Sequence, residues 1–424
     1  MAKELLVFQG PTSSRSGYGD HARDLVRSLI AMNRFDIKIV DMRWGDCPRN
    51  ALTTQDTDIS SRILTVNLPQ QPDVYVQLSV PNEFQPVGKY NIGITAGIET
   101  TVAPAPWLEG CNRMDMIIVP SKHARDVFIS TKFDRMDQKT KEKTGELTVV
   151  RPVEVLFEGA DLSVWFKTNE ISKTVDDKLK TIPEDFCFLH VGHWLAGDEG
   201  HSRKDTGGLI RTFCNTFKGG SYKKRPALIL KTSSATFSVI DREQMLVKIK
   251  TIRNSFTNPP NVYLIHGDLE PVELNSLYNH PKVKAHISFT KGEGFGRPLL
   301  EASLSGKPVI ASNWSGHIDF LAPNSTLLPG NLAKIHPSAV WGEIILADSQ
   351  WFNVNYNYAS KILKDVFKNH KQYALTGKKQ MSHSKANFSL KQMNEDFAII
   401  MNKYIIKKEE VKLNLPPLPK LQSV

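Results

Sequence analysis

Two glutamates, Glu293 and Glu301, with seven residues between them, flank a glycine-rich turn in the stretch Thr290 to Leu304, Thr-Lys-Gly-Glu-Gly-Phe-Gly-Arg-Pro-Leu-Leu-Glu-Ala-Ser-Leu. Carboxylates accept hydrogen bonds from vicinal hydroxyls, and the free N–H groups of a helix start carry a partial positive charge that suits a phosphate or a sugar oxygen. Val283 to Phe289 is an apolar run of strand length, Gly292, Gly294 and Gly296 permit positive φ and close backbone approach, and Pro298 suits a first helical turn. A strand therefore feeds a helix through glycines, and Glu301, one turn in, points into the same crevice as Glu293. An ordinary βα turn with one capping and one exposed glutamate shares the pattern.

The elements that must position these groups are legible as short β-branched apolar runs alternating with helical patterns. The runs are Leu5 to Gln9, Ile37 to Val40, Val74 to Leu78, Asn91 to Ile94 and Met116 to Val119, then Phe186 to Val191, Ala227 to Lys231, Val262 to His266, Ala285 to Phe289 and Val309 to Ala311. This rhythm predicts an α/β chain in which a parallel sheet with helices on both faces occurs twice. A polar stretch from Asp161 to Asp185, closed by Pro183, places the boundary near residue 175. Two lobes, 1–175 and 176–387, follow. Helical spacing of Phe397, Ile400, Met401 and Tyr404 predicts a last helix over about 388–406, and Pro416, Pro417 and Pro419 predict an extended tail over 407–424. Lys132 to Gly145 reads as a charged, solvated loop or loose helix end.

Glu293 and Glu301, followed by Gly306-Lys307-Pro308-Val309-Ile310-Ala311 and Gly316, resemble the donor-site signature of retaining glycosyltransferases of family 4. That resemblance implies the GT-B fold, two Rossmann-like domains facing a central cleft. It also implies a nucleotide-sugar donor, with Glu293 near the donor sugar and Glu301 on the nucleotide ribose. Phe295, Gly296 and Arg297, with Gly294, would then offer amide N–H groups to phosphate or sugar oxygens. Gly17, Tyr18 and Gly19, in the loop after the first strand, resemble the family's first loop, bordering the donor diphosphate and the acceptor. A tight turn without ligand contact fits that loop as well.

Other positions carry the resemblance with departures. Lys204, preceded by Arg203 as a further donor-binding candidate, matches the family's Arg-Lys-Gly element, whose lysine binds the diphosphate together with the arginine of an earlier Gly-Arg; His193 stands where that arginine would be, and Lys231 matches a further basic residue after its strand. Fixed cations here would stabilise the negative charge on a departing diphosphate. Ile94-Thr95-Ala96-Gly97-Ile98-Glu99-Thr100 is similar to a subgroup with a Glu-Thr pair, so Glu99 is an acceptor-side candidate, and equally a structural glutamate at a strand end. Ser121 reads as a helix N-cap, and His123 as a surface histidine or else one facing the cleft. Phe157 and Glu158 replace the first pair of the family's Pro-His-Gly-Val-Asp turn, which reads as a hinge. The resemblance implies transfer with retention, by front-face attack assisted by the departing phosphate, and without a metal ion. Asp56-Thr57-Asp58 lacks the strand context of a metal-binding Asp-x-Asp motif.

The composition, 40% hydrophobic and 23% charged, is that of a soluble globular chain, and no apolar stretch is long enough to cross a bilayer. Four dispersed cysteines form no metal or disulfide pattern, which fits a reducing cytoplasm. The net charge of +10 favours a polyanionic partner. Lysines gather at Lys218, Lys223 and Lys224 with Arg225, and at Lys361, Lys364, Lys368, Lys371, Lys378, Lys379 and Lys385 after Trp351, Phe352, Tyr356 and Tyr358. DNA carrying a modified base such as hydroxymethylcytosine is one acceptor this suggests. A glycan or lipid-linked acceptor at a peripheral membrane surface is another, a solvated lysine face carries neither, and a non-catalytic nucleotide-sugar or nucleic-acid binding protein on the same scaffold stays open.

Overall fold

The computed structural model describes residues 3–405 other than 67, 69, 220–223, 235–236, 322 and 343. Lys223, the tail expected over 407–424 and the last residue of the expected helix 388–406 lie outside the described residues.

In the first half, strands β1 (Glu4–Gly10), β2 (Phe35–Asp41), β3 (Val74–Leu78), β4 (Tyr90–Ile94), β5 (Met116–Val119) and β8 (Val153–Val155) form one parallel sheet in the order β2-β1-β3-β4-β5-β8. Helices α1 (Gly17–Ala31), α2 (Thr57–Ser60), α3 (Ala105–Arg113) and α4 (Lys122–Ser130) connect them. Strands β6 (Phe133–Met136) and β7 (Lys143–Leu147) pair antiparallel, so the charged segment expected as a loop or helix end is a hairpin. Its ends are fixed by Phe133 and Leu147, which pack with the first domain's core, while Asp134, Arg135 and Met136 stay in solvent.

The second half repeats the plan. Strands β9 (Cys187–Val191), β10 (Ala227–Lys231), β11 (Val262–Ile265), β12 (Val283–Ser288), β13 (Val309–Ser312) and β14 (Thr326–Leu328) make a parallel sheet in the order β11-β10-β9-β12-β13-β14. Helices α5 (Lys173–Lys180), α6 (Thr206–Phe217), α7 (Val239–Asn254), α8 (Pro271–Asn279), α9 (Arg297–Ser303), α10 (Ile318–Leu321), α11 (Tyr356–Lys368) and α12 (His370–Asn387) accompany it. A ribbon of β15 (Gly330–Lys334) and β16 (Gln350–Val354) completes the domain. Strands covered on both faces need apolar side chains in both directions, which is why β10 reads Ala-Leu-Ile-Leu without alternation.

Each sheet reverses its strand order beside its first strand, β9 against β12 in the second domain and β1 against β3 in the first. Open parallel sheets leave a crevice at the carboxyl ends of the strands at such a switch point. Helix α13 (Leu390–Tyr404) returns to the first domain, where Met393, Phe397, Ile400 and Met401 are buried with the residues of β1 and α1. The crossing between cores falls earlier than residue 175: Leu156 packs with the first domain, whereas Ala160, Trp165 and Val175 pack with the second. Val175 lies inside α5, whose amphipathic pattern with Leu179 buries it on the second sheet. The polarity around it belongs to that helix's solvent face.

Candidate active site

Glu293 lies between β12 and α9, 5% exposed, and its carboxylate accepts from two cations of the loop before α6. Lys204 pairs with one oxygen, and Arg203 Nη1 is 3.2 Å from the other. Arg203 also stands 3.7 Å from Glu99 of the first domain and donates to the Gly292 carbonyl at 3.1 Å. Burial alone would raise the Glu293 carboxyl, but the charges of Lys204 and Arg203 outweigh it and hold the group at about 2. Glu293, Arg203, Lys204 and Glu99 therefore form one charged cluster that bridges the two domains.

The backbone around Glu293 is held from three sides. Its N–H donates to Ser315 Oγ at 2.9 Å, its carbonyl accepts from Gly316 N–H at 3.0 Å, and Ser121 Oγ donates to the Gly294 carbonyl at 2.6 Å. Ser121 thus caps α4, as expected, and also ties that helix to the other domain. The glycines serve this junction. A Cβ on Gly292 would meet the Glu99 carbonyl oxygen at 1.9 Å, and one on Gly294 the Ala96 oxygen at 1.9 Å. The close approach foreseen for a ligand at these two positions is made instead by the first domain's own chain.

Glu301 is 6% exposed on α9, in contact with Tyr278 Oη and Arg297 Nε, both at 3.3 Å. Burial raises its carboxyl to about 8 while Arg297 pulls the other way. Arg297 is a side-chain hub rather than only a donor of its amide. It lies 2.8 Å from Asp24 on α1 and 3.9 Å from Glu158 at the domain crossing. Burial likewise lifts Glu158 to about 7. Phe295 is a core side chain, 2% exposed and packed on Phe320, and Gly296 takes φ 99° as the N-cap residue of α9.

Among the remaining candidates, Tyr18 turns inward, its hydroxyl 3.3 Å from Thr95 Oγ1 and accepting from the Ala96 N–H at 3.1 Å, with Trp44 stacked on its ring at 3.9 Å. Gly17 is open to solvent; Gly19 is buried under its loop, where a Cβ would meet the Ser14 oxygen at 2.0 Å. His193 keeps Nδ1 2.8 Å from the Ser234 carbonyl and has Lys204, Lys231 and Arg203 as charged neighbours. Lys231, at the end of β10, lies 5.7 Å over the Phe237 ring. His123 is not a surface histidine: its ring packs edge-on against Trp314 of the second domain at 4.6 Å.

Several surface expectations change. Arg225 is 7% exposed and donates to the carbonyls of Gly219, Asn258 and Pro259, and Trp351 and Phe352 are buried, so none of the three belongs to a basic, aromatic surface. Lys361, Lys364, Lys368, Lys371, Lys378 and Lys379 are exposed along α11 and α12. Asp56 and Asp58 both pair with Arg27. Among the described residues no group of acidic, histidine or cysteine side chains is arranged to hold a metal ion, and no helix is long and apolar enough to cross a membrane. Sequence reasoning missed Asp24 and Trp314, whose link to the site exists only in three dimensions.

Two parallel-sheet domains with charged groups meeting between them define the class by architecture, the GT-B fold. Residues 226–339 match the model of the family described as Glycosyl transferases group 1, a span that contains Lys231, Glu293 and Glu301. A sucrose-phosphate synthase from Thermosynechococcus elongatus is similar over 95% of this chain and 99% of its own, at 12% identity and TM-score 0.63. A glycosyltransferase from Rickettsia africae is similar over 96% and 100%, at 12% identity and TM-score 0.60. HepE from Anabaena, in complex with UDP-glucose, is similar over 94% and 100%, at 13% identity and TM-score 0.56. No curated protein matches the sequence.

Proposed function

We propose that the protein moves a sugar from a nucleotide-sugar donor to an acceptor hydroxyl with retention at the anomeric carbon, as in family 4. The observation that carries this reading is the cluster of Glu293, Lys204, Arg203 and Glu99 at the domain junction. The donor diphosphate would exchange places with the Glu293 carboxylate as partner of Lys204 and Arg203, with His193 and Lys231 beside them, and Glu293 would then turn to the donor sugar. Glu301, already beside a phenol hydroxyl and a guanidinium, would accept from the ribose. Preorganised cations offset the charge that grows on the departing diphosphate, so a metal ion is not required. That phosphate takes the acceptor proton while the hydroxyl attacks from the same face.

Neighbours whose structures hold UDP or UDP-glucose support a nucleotide-sugar partner. For the acceptor, the exposed lysines of α11 and α12 support a polyanion, and we propose DNA bearing hydroxymethylcytosine as the first to try. The test is a thermal-shift screen of nucleotide sugars, then mass spectrometry of that DNA, oligosaccharides and lipid-linked glycans, each with and without EDTA. Stabilisation by one donor and an EDTA-insensitive gain of one sugar mass are expected. A folded protein stabilised by no donor would instead be a binding module of another kind.

A further inference from the structure

Lys291 sits two residues before Glu293, yet it is 1% exposed. Its ammonium donates to Asn353 Oδ1, stands 3.5 Å from Asp205 and lies 5.9 Å over the Trp351 ring. Asp205 is fully buried and follows Lys204 directly; it takes φ 47°, a left-handed conformation that costs an ordinary residue energy. Its side chain offsets that cost. Oδ1 accepts the Gly208 N–H at 3.2 Å, capping α6, and Oδ2 accepts the Tyr356 hydroxyl at 2.5 Å. Gly208 leaves room for this, since a Cβ there would stand 2.4 Å from Asp205 Oδ1 and 2.6 Å from the Tyr356 oxygen.

The same residues grip the loop from its other side. The Lys291 N–H donates to the Arg203 carbonyl at 2.7 Å, and its carbonyl accepts from Phe352 N–H at 2.9 Å. Arg203 and Lys204 are therefore held between a backbone bond from the Glu293 turn and a left-handed residue pinned by two side chains. A buried lysine and a buried aspartate are costly to keep in an interior unless paired, and apolar replacement of both is often neutral for stability. Their placement behind the two cations, rather than anywhere else in the core, is what stability alone leaves unexplained.

We propose that Lys291, Asp205 and Tyr356 are positioning residues that set the reach of Arg203 and Lys204 toward the donor's phosphates. The inference rests on the donor site proposed above. It gives each member a role through Lys204, not through the substrate: Asp205 fixes the backbone turn, Lys291 neutralises and orients Asp205, and Tyr356 holds its second oxygen.

The experiment uses the full chain and isothermal titration with UDP, ADP and GDP, each against its monophosphate. Tyr356→Phe removes one hydroxyl, and the double variant Asp205→Asn with Lys291→Met removes both charges while restoring compensation. With whichever diphosphate binds the wild type, both variants are expected to lose about 3- to 10-fold in affinity. Monophosphate affinity should change less, and the double variant should melt near the wild-type temperature. Diphosphate affinity within about twofold of wild type in the double variant would overturn the proposal and leave the trio as core stabilisers. Equal losses for diphosphate and monophosphate would overturn it too. If the wild type binds none of the three diphosphates, the donor-site reading itself fails, and this inference falls with it.

Discussion

Gly292 lies so close to Glu99 that a Cβ on it would stand 1.9 Å from the Glu99 carbonyl oxygen. The two residues belong to different domains, so this close backbone contact of the motif, like that of Gly294 with Ala96, is part of the junction between them. Gly292→Ala should force that junction apart without disturbing either core. The expected result is a fall in donor turnover of about 10- to 100-fold, the scale of an ångström-sized misplacement, with far-UV circular dichroism unchanged. Small-angle scattering should report a larger radius of gyration. An alanine variant with wild-type turnover would mean that the contact plays no part in closing the site.

The glycines were legible in sequence as places of close approach, but what approaches was not. Chain position cannot reveal that the partner at Gly292 and Gly294 is the backbone of Ala96 to Glu99. The two sheets were legible for a local reason: strands buried on both faces are continuous apolar runs, as in β10. The β6–β7 hairpin was not, because its exposed Asp134, Arg135 and Met136 leave no alternation to read. Nothing in the sequence singles out Lys291 within the stretch Thr290 to Leu304. Only its distant neighbours Asp205, Asn353 and Trp351 make it an interior one.

Lys204 and Glu293 neutralise each other in a nearly dry setting, with side chains 10% and 7% exposed. Lys204→Met leaves the carboxylate with Arg203 alone, which should destabilise the fold by about 1–3 kcal/mol. Turnover should fall further, by about two to three orders of magnitude, because the cation facing the departing phosphate is gone. Urea unfolding and initial rates on the donor found by the screen separate the two effects. A rate loss no larger than the unfolded fraction accounts for would remove Lys204 from the chemistry.

Glu301 gives the protein an alkaline weakness. Its folded value, about 8, lies above the ordinary 4.5, with burial as the chief cause, so across that window the folded state keeps a proton that the unfolded chain has released. Its contribution to stability is complete below pH 4.5 and is lost as pH rises through 8. Glu158, at about 7, acts in the same direction. The thermal midpoint should therefore decline between about pH 4.5 and 8 and level off above, and Glu301→Gln should flatten the decline. An identical slope in the variant would show that Glu301 is ionised throughout.

The lysines of α11 separate a working surface from a merely solvated one. Lys361, Lys364 and Lys368 recur at helical spacing on the exposed side, while Ala359, Leu363 and Val366 are buried against the second domain. Three charges on one side of a helix can follow a phosphate backbone, and each neutralised phosphate adds about 0.9 to the slope of log affinity against log salt. Reversing all three to glutamate should weaken binding to a duplex containing hydroxymethylcytosine and lower that slope by about 3, with no change in the thermal shift caused by the donor. Fluorescence anisotropy across a salt series measures both quantities. A triple variant with the wild-type slope would exclude this helix as the nucleic-acid surface and move the acceptor search to uncharged glycans.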